Sequence, residues 1–242
     1  MLALIALLLS AGWSDTGEDV VRMMHERYEG RWYEHLTFVQ RTSYYDIGSG
    51  ELDSARIWYE SLALPGRLRI DLAPLSSGDG ILFRNDSLYV LRSDSIVFAT
   101  SRIHQLLLLG FDVYHLPVEM SIARLRGLGY DLSRMYEAEW QGRDVYVVGA
   151  ESAADRSNQF WIDRGRLVFV RELRYPPNGA EVEVQFNRYY EGGGGWIAPE
   201  VVFKVNGRMT LHEEYGNIRT DIDLEPAVFL LESGAKTPWV RD

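Results

Sequence analysis

Cysteine is absent from all 242 residues. Disulfides, thiol nucleophiles, Cys-based metal sites and lipid attachment through an N-terminal cysteine are thereby excluded, so an exported form is expected to be soluble, not anchored. Basic charge is scarce: 25 Lys and Arg stand against 35 Asp and Glu, a formal net charge of −10. Binding to nucleic acid, or to anionic lipid headgroups, needs clustered Lys and Arg; neither is expected. Long apolar runs are missing too. The longest falls well short of the ~20 residues that span a bilayer, so no stable membrane insertion is expected.

What the chain does have is apolar and aromatic side chains, 46% hydrophobic and 12% aromatic. That content supports one large core, and all-β folds often reach ~200–250 residues as one unit. Residues 1–9 read MLALIALLL, followed by Ser10, Ala11, Gly12, Trp13 and Ser14. A short apolar run ending in small residues has the form of a secretory signal, although no Lys or Arg precedes Arg22. The expected organisation is a leader over residues 1–14 and a single domain over 15–242, placed in the periplasm after export.

Hydrophobic periodicity then divides the chain. From Asp15 to Tyr28, Val20, Val21, Met24 and Tyr28 recur at helical spacing, with Thr16 as N-cap and Gly30 as stop. Beyond Trp32 the period is two. Strands are predicted over Trp32–Tyr45, Arg56–Leu64 and Leu68–Leu72, then a hairpin around Asn85-Asp86-Ser87 and a short strand over Ile96–Ala99. His104 to Leu116 is strongly apolar, and Pro117 to Leu128 reads as a short helix. Strand signals resume from Val145 to Ile218, separated by turns such as Asn206-Gly207, with the Gly192–Gly195 run as a hairpin turn. Connections this short make an antiparallel sheet.

Catalytic motifs are weak. The five histidines, His25, His35, His104, His115 and His212, share no metal-ligand spacing, and neither a metal nor a cofactor is expected. There is no G-x-S-x-G or H-E-x-x-H. Ser233-Gly234-Ala235-Lys236 matches S-x-x-K but lacks its partner motifs and reads as a plain loop. Asp221-Ile222-Asp223-Leu224-Glu225 could offer carboxylates to Ca²⁺ or to glycoside hydrolysis, yet alternation alone produces such a wet acidic edge in a strand. An enzyme is not expected.

Between Trp58 and Val97 the pieces Trp58-Tyr59-Glu60-Ser61-Leu62, Pro65-Gly66-Arg67-Leu68-Arg69-Ile70-Asp71, Gly78-Asp79-Gly80 and Asp86-Ser87-Leu88-Tyr89-Val90 follow one another. Later come Phe160-Trp161-Ile162-Asp163, Ile197-Ala198-Pro199 and Val228-Phe229. In this order they resemble the outer-membrane lipoprotein-sorting family, the periplasmic carriers of the LolA/LolB-like kind. The resemblance implies a mostly β fold: a curved, unclosed antiparallel β-barrel (a half-barrel) with a few helices forming a lid on its concave side. It also implies a cavity for acyl chains of a lipoprotein or another lipid. One departure stands out. Such carriers commonly place an Arg directly before the Pro of this segment, tying the lid shut; here that position is Leu64.

On this reading Trp58, Leu62 and Leu64, with Leu68 and Ile70, line the cavity. Val20 and Met24, together with Leu106, Leu107 and Phe111, belong to the lid. The expected partners are lipid or lipoprotein acyl chains, carried with no chemical step. The alternative is a sensor or scaffold of the same fold that binds another envelope protein.

Overall fold

The computed structural model describes residues 16–220, 222–230 and 239. The expected leader lies outside these residues, as does the Ser233–Lys236 motif.

Helix α1 (Gly17–Tyr28) begins with a capping box: the Asp19 amide donates to the Thr16 hydroxyl (3.3 Å), and the Thr16 amide donates to the Asp19 carboxylate (3.1 Å). These bonds satisfy amides that the first helical turn leaves orphaned. Val20, Val21, Met24 and Tyr28 form its buried stripe. Gly17 is required here, because a Cβ would lie 2.2 Å from Val148 Cγ1.

Strands β1 (His35–Tyr45), β2 (Leu52–Ala63), β3 (Arg67–Leu72), β4 (Gly80–Arg84), β5 (Ser87–Arg92) and β6 (Ser95–Ser101) form successive antiparallel hairpins. The chain then turns helical: α2 (Gln105–Gly110), a 3₁₀ turn (Asp112–Tyr114) and α3 (Val118–Gly127). Strands β7 (Met135–Trp140), β8 (Arg143–Val148), β9 (Gln159–Asp163), β10 (Val168–Arg174) and β11 (Val182–Asn187) follow, then the small hairpin β12 (Tyr190–Gly192) and β13 (Gly195–Ile197), and finally β14 (Glu200–Val205) and β15 (Arg208–Arg219). All but the small hairpin join one 13-stranded sheet, in the order β6-β5-β4-β3-β2-β1-β15-β14-β11-β10-β9-β8-β7.

The sheet is antiparallel throughout and does not close: β6 and β7 are its two edges. They are joined in sequence by the helical stretch, which packs with α1 in a single layer. This is the expected unclosed half-barrel. Strand β7 was not anticipated, because MYEAEW carries little β-branched character.

The helical layer is held by an aromatic cluster. Trp32 stacks on Tyr114 (3.8 Å between ring centroids) and Tyr28 meets both edge-on (4.9 and 5.3 Å). A second, smaller core lies apart from the main one. Ala63 and Leu82 are covered there by Leu224, Val228 and Phe229. Arg69 donates to the Val228 carbonyl (3.0 Å) and pairs with Asp71 (2.9 Å), both side chains buried. The described part of the Asp221–Glu225 segment is therefore no strand edge: it leads into a strap that ends in a 3₁₀ turn, Pro226–Phe229.

Candidate ligand cavity

Period two puts Trp58, Glu60 and Leu62 of β2 on one face. Pairing sets Leu68 beside Leu62, Ile70 beside Glu60, and then Phe83 and Ile81 of β4 beside Leu68 and Ile70. With Phe38, Leu88, Val184, Phe186 and Phe203 these residues form one wall of a cavity of about 350 Å³. The facing wall is Ile103 to Leu107 and Phe111 of the helical layer. Apolar walls with a few polar groups are the usual make-up of a small-molecule site, though this volume is at the lower end of the ~300–1,000 Å³ range.

Seven of the residues expected at a site come together here: Trp58, Leu62, Leu68, Ile70, Leu106, Leu107 and Phe111. Three do not. Val20 and Met24 are fully buried in the main core beneath α1, and Leu64 is buried in that core beyond the end of β2. Beside this turn the Gly66 amide donates to the Asp112 carboxylate of the helical layer (2.8 Å). Burial pushes the Asp112 carboxyl up to about 7.

Polar groups inside the cavity escaped the sequence reading. Glu60 is only 7% exposed, and burial, with Glu213 nearby, pushes its carboxyl well above the ordinary range. Glu213 faces the cavity and accepts from the Tyr215 hydroxyl (2.9 Å); burial lifts it to about 7. Tyr215 stacks on Phe38 (4.1 Å). His104 caps α2, its Nδ1 accepting from the Leu107 amide (3.1 Å). Burial, helped by Arg102, lowers its pKa to about 4, which keeps Nδ1 free to accept. Glu172, fully buried, accepts from Gln105 (3.0 Å) and from Tyr130, and so fastens the helical layer to β10.

The signal for Glu60 was present in the sequence: a carboxylate between Trp58 and Leu62 on an otherwise apolar face. Among the described residues no three His, Asp or Glu side chains gather as a metal site.

The fold is shared with solved structures. A DUF1329 family protein from Desulfovibrio piger superposes with a TM-score of 0.58 at 17% identity, over 88% of this chain and 95% of that one. A protein domain from Vibrio parahaemolyticus, described as outer membrane lipoprotein-sorting, gives 0.57 at 14%, over 88% and 95%. A LolA superfamily protein from Nitrosomonas europaea gives 0.51 at 12%, over 90% and 98%. No family model matches the sequence, and no curated protein does. The chain thus has the LolA/LolB-like fold.

Proposed function

We propose that this protein is a periplasmic carrier or binding protein for an apolar ligand, lipoprotein acyl chains or another lipid, and that it performs no chemical step. The observation that supports this best is the apolar cavity between the sheet and the helical layer. Each methylene moved from water into it contributes ~0.8 kcal/mol, so a chain of about ten gains ~8 kcal/mol to set against the costs of association. A volume of about 350 Å³ suits one chain better than several, and a larger cargo requires the walls to part.

Native mass spectrometry of the protein purified from cells, with lipid extraction from the same sample, tests the proposal. A co-purifying single-chain species near one-to-one supports a carrier. A second test is Ile81→Glu, which charges a half-buried position on the cavity wall. The variant is expected to stay folded and to lose acyl binding; unaltered binding would remove the cavity from the mechanism.

A scaffold reading has one observation in its favour. Ile96, Val97 and Phe98 are exposed on the edge strand β6, whose outer ladder groups pair with no strand among the described residues and could take up another chain. A protein that ignores all lipids while capturing an envelope partner through β6 would favour it.

A further inference from the structure

The cavity contains an acidic pair without a cation. On β1, Gln40 lies between Trp58 of β2 and Tyr215 of β15; one step diagonally on either side, Glu60 is opposite Phe38 and Glu213 opposite Thr42. Gln40 donates to Thr42 (2.8 Å). Glu213 has Tyr215 as donor, whereas Glu60, more than nine-tenths buried and lining the cavity, has no hydrogen-bond or ion-pair partner among the described residues. Two arginines also line the cavity. Arg174 is engaged with Glu172 (3.5 Å), and Arg102 is solvent-exposed.

Two carboxyls in apolar surroundings have two ways to be stabilised. They hold their protons, or a cation comes to them. Burial displaces both carboxyls upward, toward the first. A ligand bringing its own positive charge supplies the second.

On the carrier reading, from which this inference follows, we infer that the cavity selects a cationic amphiphile: a single apolar chain ending in an ammonium. The ammonium lies between Glu60 and Glu213, and the chain runs along Leu62 and Leu68 toward Leu106 and Phe111. The same geometry disfavours a fatty acid with its head at this end of the cavity, where the carboxylate would meet two more carboxyls.

Calorimetric titration at pH 7.5 with dodecylammonium, dodecanol and dodecanoate, each below its micelle concentration, tests this. The ammonium is expected to bind at least about tenfold tighter than the alcohol, with the carboxylate weakest. Binding of the ammonium is expected to release protons, read from the dependence of the heat on buffer ionisation. The double variant Glu60→Gln/Glu213→Gln keeps polar shape without charge; its affinities for the ammonium and the alcohol are expected to become nearly equal. Equal affinity of the parent protein for ammonium and alcohol overturns the inference, whether or not the variant folds. A preference that survives the double substitution overturns it as well. If the parent protein binds none of the three, the carrier reading itself fails, and the inference goes with it.

Discussion

The two wings of the sheet carry the same antiparallel ladder and reach different ends. In the β8–β10 wing, Val145, Val147, Phe160, Ile162 and Val168 have no exposed surface at all. The helical layer is fastened there at several points: Tyr28 and Tyr114 donate to the Arg166 and Leu167 carbonyls, Tyr130 packs on Phe160 (5.2 Å), and Gly17 abuts Val148. In the β2–β6 wing the layer is pinned near the hairpin tips, by Asp112 to Gly66 and Arg124 to Asp86 (2.9 Å), and by His104 edge-on to Phe83 (4.5 Å). β5 is half-buried and β6 wholly exposed. A cavity arises where a layer is fixed at its margin but not along its length. One wing supplies stability and the other supplies space.

Truncation on the two wings is the sharpest test. Phe160→Ala is expected to cost about 3–5 kcal/mol in urea denaturation, a large share of the ~5–15 kcal/mol typical of a domain. Leu88→Ala, on the cavity wall in the β2–β6 wing and only half-buried, is expected to cost about a third of that. Equal losses would mean that the wings are packed alike. Gly17→Ala is expected to cost about 1–3 kcal/mol by overpacking against Val148, and to loosen the sealed wing first, seen as faster amide exchange in α1.

Proton linkage gives a third test. Asp112 and Glu213 titrate near 7 in the folded protein, above their ordinary carboxyl values. The folded state thus binds more protons than the unfolded state between about pH 5 and 7, so their contribution falls as pH rises through 7. His104, lowered to about 4, acts oppositely, adding stability as pH rises from about 4 to its ordinary value near 6.5. Between pH 6.5 and 8 only the carboxyls remain, and there stability is expected to decline. Asp112→Asn and Glu213→Gln should each flatten that decline; an unchanged slope would show that these groups are ordinary carboxylates. The smallest effect is reserved for the exposed edge. Val97→Lys is expected to leave stability within about 0.5 kcal/mol while slowing aggregation at high concentration, as followed by light scattering.

Much of the architecture was legible from turn spacing, because strands of five to seven residues between Gly, Asn and Asp leave few options but hairpins. Leu68–Leu72 and the Asn85–Ser87 turn show this well. The inward face of β2 was legible too, and its residues do meet Leu106, Leu107 and Phe111 across the cavity. Leu64 was placed by extending period two past Ala63, where β2 ends and the Pro65-Gly66 turn resets the direction of the side chains. Val20 and Met24 illustrate a different blindness. An amphipathic stripe declares that a helix covers something, but not whether that is a ligand or the protein's own core. The Glu60–Glu213 pair needed three strands in register before it existed at all.

The helical stretch between β6 and β7 is a covalent bridge across the gap of a split hoop. In a closed barrel, widening the interior means tearing a ladder of hydrogen bonds; here the mouth can spring apart by bending the sheet and sliding the bridge, with every rung intact. The width of the cavity is then a mechanical property, set by the compliance of residues 102–134 and not by the number of strands.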